Sequence, residues 1–255
     1  MKRRRLLPTL LPLLLSGPLA LTESPAMTLL DSRKYFSDPA TAAFVDQVQR
    51  GDAAAVRQAL AAGQDPNAAG LGGMRPLHFV FAAKGPAGAG VAELLLAAGA
   101  DPNAKAPNGH TPLHYAVQQS EPGFTEALLR HKADPRLPGE NGQPVLYLAL
   151  SSPAAPHTLP LLVRAGADPN QVWGGYPPVQ AALVQQDWPA ALLLLRLGAD
   201  PSLRTKQGET VAQTFCRLLA RLNPKGSQRA LVAAVGDQLG AAVPPECQAR
   251  LAQFR

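Results

Sequence analysis

Apolar residues along this chain fall in short runs, and glycine, proline or aspartate closes each run at nearly constant intervals. The 26 prolines and 22 glycines therefore act as boundaries between short helices and not as linkers. One stretch shows the unit. Thr111 is placed to accept the first free amide as an N-cap, and Pro112 occupies the first turn, where its missing donor costs nothing. This predicts a helix to about Gln119, a turn at Glu121-Pro122-Gly123, and a second helix over Phe124 to His131 that buries Ala127, Leu128 and Leu129.

The pattern repeats. Gly63-Gln64-Asp65-Pro66-Asn67 returns as Gly99-Ala100-Asp101-Pro102-Asn103, Lys132-Ala133-Asp134-Pro135-Arg136, Gly166-Ala167-Asp168-Pro169-Asn170 and Gly198-Ala199-Asp200-Pro201-Ser202, with aspartates 36, 33, 34 and 32 residues apart. A second phrase keeps step: Arg75-Pro76-Leu77-His78, Thr111-Pro112-Leu113-His114, Pro144-Val145-Leu146-Tyr147, Pro177-Pro178-Val179-Gln180 and Thr210-Val211-Ala212-Gln213. Two registers with one period define a repeat array. Gly63, Gly99, Gly166 and Gly198 suit the left-handed position that ends a helix, and Lys132 takes that place in the third unit at a cost of about 1 kcal/mol.

Gly109-His110-Thr111-Pro112-Leu113-His114, taken with Gly99-Ala100-Asp101-Pro102-Asn103-Ala104, resembles the ankyrin repeat. The resemblance covers about residues 41 to 220 as six units beginning near 41, 69, 105, 138, 172 and 204. It implies an all-α solenoid of helix-turn-helix units with β-turn tips and helical caps. Phe44, Val45, Val48 and Gly51 match the first unit, where Ser37-Asp38-Pro39 replaces the threonine-proline cap. Three extra residues within Lys84 to Gly90 and one near Ser151 to Pro156 are expected in loops between helices, and the turn Gln171 to Gly175 is one residue short. The sixth unit changes character: Phe215 to Leu222 extends its first helix, Asn223 to Ser227 break it, and helices over Gln228 to Leu239 and Pro244 to Phe254 close the stack. Residues 27 to 40 form an N-terminal extension and 221 to 255 a C-terminal helical cap.

Composition agrees: of 255 residues 46% are hydrophobic and 16% charged, isoleucine is absent, and alanine and leucine dominate, which starves strands and favours helices. The net charge of +6 is concentrated at Lys2, Arg3, Arg4 and Arg5. With Glu23, residues 1 to 26 hold four cations and one acid, so the remainder carries only +3, scattered among acids. That is a poor match to nucleic acid. The basic start, the apolar run Leu6 to Leu15 continuing to Leu21, and small residues at Ala20 and Ala26 read as an export signal cleaved after one or other alanine. Pro8, Pro12 and Pro18 interrupt it as a membrane span. The expected compartment is the periplasm, with secretion as the alternative, and the mature chain is expected free of membrane.

No phosphate loop, His-Glu-x-x-His, paired-cysteine knuckle or Gly-x-Ser-x-Gly is present, so neither an enzyme nor a cofactor is expected. His78 and His114 recur at one repeat position, where the resemblance implies hydrogen bonding between units. His110, His131 and His157 lie in different turns. Cys216 and Cys247 are expected to form a disulfide in an exported chain, a buried free thiol at Cys216 being the alternative. Arg130, Arg164 and Arg196 recur at ends of second helices, where cations favour the helix dipole.

What remains is a surface. The resemblance implies a partner protein bound through a concave face of turn tips and first helices. The tips place Leu71, Met74, His110, Gln143, Trp173, Tyr176 and Glu209 there, with Leu71, Met74, Trp173 and Tyr176 as exposed anchors. Late first-helix positions Gln49, Arg50, Gln118, Gln119, Ser151, Ser152 and Gln185 are expected to form its polar floor. The alternative for Trp173 and Tyr176 is packing over the short turn. The function expected is immunity to, or inhibition of, an exported toxin enzyme, with a scaffold for a resident enzyme or, in another class, a metal-binding or hydrolytic protein as alternatives.

Overall fold

The capping and punctuation residues build two stacked layers of short helices in the computed structural model, which describes residues 30 to 83 and 85 to 255. Each unit supplies one helix to each layer. The pairs are α1 (Pro39–Arg50) and α2 (Ala53–Ala61), then a 3-10 segment Pro76–Ala82 and α3 (Gly85–Ala97), then α4 (Pro112–Ala116) and α5 (Gly123–Arg130). They continue as α6 (Val145–Leu150) and α7 (Ala155–Arg164), α8 (Pro178–Val184) and α9 (Trp188–Arg196), and α10 (Val211–Leu219) and α11 (Arg229–Leu239), closed by α12 (Pro245–Ala252). The inner layer stacks α1, the 3-10 segment, α4, α6, α8 and α10, and the outer layer stacks α2, α3, α5, α7, α9 and α11. Among the described residues there is no strand, only isolated bridges at Trp173 with Tyr176 and Arg204 with Thr210. The expected repeat solenoid is thus the fold, and α11 completes the sixth unit as its outer helix.

Capping follows the residues. Asp38 accepts from the Thr41 amide at 2.8 Å and starts α1 at Pro39, two residues before the expected boundary. Gly63, Gly99, Gly166 and Gly198 all take left-handed φ after outer helices, and Lys132 adopts φ 68° in the same place. Arg130, Arg164 and Arg196 sit in the last turns of α5, α7 and α9.

The core runs between the layers as one cluster that includes Phe44, Phe79, Phe124, Leu159, Trp188 and Phe215, and Leu192, Leu194 and Leu195 belong to it. Side chains between tips carry a second connection. Asn67 Nδ2 donates to the Gly99 carbonyl at 2.7 Å while its Oδ1 accepts from the Asp101 amide at 2.8 Å. Asn103 repeats this with the Lys132 carbonyl at 3.3 Å and the Asp134 amide at 2.8 Å, and Asn170 accepts from the Asp200 amide at 2.7 Å. Arg136, at the equivalent position, folds back on Asp134 instead at 2.9 Å.

Several boundaries differ from expectation. The Gly85 to Gly90 stretch is not a loop: it lengthens α3 to 13 residues. Gly88 allows it, because a Cβ there would lie 2.3 Å from the Ala83 carbonyl and 2.7 Å from the Phe124 ring. The facing segment is a 3-10 helix whose residues Pro76 to Phe81 are all buried, a run of aromatics and valine with poor α-helical preference. Helix α4 stops at Ala116 and α10 at Leu219, each three residues early. Residues 1 to 26, the expected export signal, lie outside the described residues, as does Lys84.

The extension folds against the first unit. Gln49, expected on the groove floor, is 2% exposed and pairs with Leu30 in both directions, at 2.6 and 2.8 Å. Tyr35 packs edge-on against Phe79, and Phe36 packs on the same ring at a tilt. At the other end Cys216 and Cys247 are joined as a disulfide linking α10 to α12, with Cα atoms 5.7 Å apart.

Candidate protein-binding surface

Inner helices and tips carry the candidate residues, and burial sorts them. Leu71 is the freest, 70% exposed, its amide bonded to the Tyr35 carbonyl at 2.7 Å. Met74 is half-buried and packs against the core, so it is not the exposed anchor expected. His110 is a clearer correction: it is 8% exposed, withdrawn from the tip surface by stacking on His114.

Trp173 and Tyr176 flank Gly174 and Gly175, both at left-handed φ, in a two-residue turn that the shortened loop requires. Their amides and carbonyls exchange bonds at 3.2 and 3.1 Å. The Trp173 ring lies edge-on to Tyr147 with centroids 5.5 Å apart, and the Tyr147 hydroxyl donates to the Tyr176 carbonyl and accepts from the Trp173 amide. Both side chains are half-buried in this arrangement and only partly available to a partner.

The polar residues divide likewise. Gln118, Ser151 and Gln185 are exposed, and Gln118 and Gln185 donate to backbone carbonyls one turn back. Gln119 and Gln143 are half-buried, and Ser152, buried, donates to the Gln119 carbonyl at 3.2 Å. Glu209 receives a fork from Arg217 at 3.0 and 3.1 Å, and those bonds hold its carboxyl below the usual range.

The histidines of the second phrase are structural. His78 Nδ1 accepts from the Arg75 amide at 2.9 Å, which leaves Nε2 to donate to the Ala104 carbonyl, at the junction with the next unit, at 3.0 Å. His114 does not make the bond between units expected of it: its Nδ1 accepts from the Thr111 amide at 3.2 Å within its own unit. His131 meets Glu93 at 2.8 Å beside Arg130, tying α5 to α3. Among the described residues no cluster of three or more potential metal ligands exists.

Sequence reasoning passed over Val184, Arg217 and Arg221. Gln118, Ser151, Val184 and Arg217 are 33 residues apart at one repeat position, in or just past the inner helices. A single apolar residue in this polar column was the available signal. Val184 is 48% exposed and borders a concave groove of about 580 Å³ between the fifth and sixth units, where Tyr176, Glu209, Arg217, Leu218 and Arg221 also line the wall.

The model of ankyrin repeats in three copies matches residues 44–137 and 79–172, together just over half of the chain. Among solved structures the chain is similar to the ankyrin repeat domain of Bcl-3, a member of the IkappaB protein family, at 26% identity and a TM-score of 0.61, covering 75% of this chain and 85% of that one. No curated protein matches. Five phrases in register, a double-layered stack and the family match agree, and the chain belongs to the ankyrin-repeat family.

Proposed function

We propose that this chain works in an oxidising compartment outside the cytoplasm, the periplasm in a Gram-negative host, and inhibits an exported toxin enzyme by covering it with its concave face. Ankyrin repeats are protein-binding modules, and the fold is typically a binding scaffold, so binding itself is the coarse conclusion. The finer reading is carried by the Cys216–Cys247 bridge, since structural disulfides belong to oxidising compartments. The basic and apolar beginning of the sequence supports it. A stacked, preorganised surface suits inhibition, because little ordering cost opposes the contacts it makes.

Capture on the purified protein from the exported fraction, followed by assay of what is retained, is the test. The expected result is one stoichiometric enzyme whose activity falls on binding. A retained enzyme that keeps its activity identifies a scaffold instead, and location of the protein in the cytoplasm defeats the export reading.

A further inference from the structure

The last two units differ sharply in charge. Between Tyr176 and Gln186 the fifth unit has no charged residue, whereas the sixth sets Arg204, Lys206, Arg217 and Arg221 against a single acid, Glu209. The groove of about 580 Å³ lies on this seam. Its apolar wall is Tyr176, Val184 and Leu218, and its polar wall is Glu209, Arg217 and Arg221. Glu209 already engages Arg217 through two bonds, while among the described residues Arg221 has no carboxylate within ion-pair distance.

We infer that this groove takes an acidic segment of the protein partner, with a carboxylate on Arg221 and an adjacent large apolar side chain against Val184, Leu218 and Tyr176. The inference rests on the protein-binding reading and adds the chemistry of the partner. A guanidinium presents a planar fork that matches a carboxylate with two parallel bonds. Arginine and tyrosine around a desolvated apolar contact are what interface hot spots are made of. Glu209 argues against a polyphosphate: it sets a negative group beside Arg217 in the groove wall, which repels an evenly charged backbone. A peptide with one acid and one apolar residue avoids it. Val184 completes the case, because water is a poor neighbour for an exposed valine in a column that is otherwise glutamine, serine and arginine.

An array of synthetic dodecapeptides, probed with the full disulfide-bonded protein, tests this directly. Peptides pairing Asp or Glu with Leu or Phe within two positions are expected to be retained at least tenfold better than counterparts carrying Asn, Gln or Lys. Arg221→Glu and Val184→Glu are expected to abolish that preference, and Glu126→Lys on the outer layer, a control, to leave it intact. Equal retention of amidated peptides, or indifference to Arg221→Glu, overturns the inference. Competition by heparin as effective as by acidic peptide identifies a general polyanion site and overturns it as well. If a natural partner is captured but ignores Arg221→Glu, the protein-binding reading stands and this groove is excluded.

Discussion

His110 and His114 stack with ring centroids 5.1 Å apart and planes 14° from parallel, and among the described residues neither Nε2 has a hydrogen-bond partner. Burial is the main force lowering both pKa values, and it takes His114 to about 4, aided by His110 and Lys105 and opposed by the Gln143 carbonyl, which stays outside bonding geometry. The Glu140 charge opposes burial at His110 by favouring its protonated form. The folded site refuses a proton that the unfolded chain accepts at the ordinary 6.5, so stability is unaffected above that pH and falls as pH drops toward 4. His114 alone accounts for roughly 3 kcal/mol of that loss. Urea unfolding at pH 8, 6.5 and 5 measures it. His114→Gln, using the residue this chain places at Gln180, where Nε2 reaches the Glu209 carbonyl at 2.7 Å, is expected to flatten the dependence. An unchanged slope in that variant assigns the acid sensitivity elsewhere.

Arg136 interrupts the asparagine ladder between tips. Replacing it with asparagine is expected to supply the missing bonds to the fourth unit and raise stability by about 1 kcal/mol, since the exposed Arg136–Asp134 pair it sacrifices is worth little. Asn103→Ala is expected to cost about as much, by leaving the Asp134 amide without its acceptor. Chemical denaturation of both variants checks the opposite signs.

Gly88→Ala puts a methyl group into the Ala83 carbonyl and the Phe124 ring. Helix α3 then has to move off its neighbours, and a loss of about 2 kcal/mol or more is expected even though alanine is the better helix former. Gly90→Ala, two residues on in the same helix with open space at its Cβ, is expected to be neutral or stabilising. Thermal unfolding of the two separates packing from propensity.

Reduction of the Cys216–Cys247 bridge opens a loop of 31 residues, and in the chain-entropy account the expected loss is about 3 to 4 kcal/mol. Thiol titration under denaturing, non-reducing conditions is expected to find no free cysteine in exported protein. Unfolding with and without reductant then gives the magnitude.

The period, the paired helices and the capping glycines were legible because each rests on local chemistry that recurs from unit to unit, such as the five Asp-Pro turns. The length of α3 was not, because glycines at 85, 88 and 90 suggest a loop until Phe124 and Ala83 press against Gly88. The candidate surface was legible only as a set of positions. Whether a tip residue points out depends on its neighbours in the fold: His114 takes His110 inward and Tyr147 of the preceding unit holds Trp173, while Leu71 stays exposed. Gln49 was misplaced for the same reason, its partner Leu30 lying 19 residues away in an extension without repeat character.

A stack of identical units has no intrinsic last member, and a bare end face is a template on which another molecule of the same protein could continue the array. Helix α12 occupies that position here. It packs on α10 and α11, whose other neighbours are α8 and α9, with Leu251 against Gly236, and the bridge to Cys247 keeps it there. The disulfide thus does more than hold a helix: it keeps the end face of α10 and α11 covered.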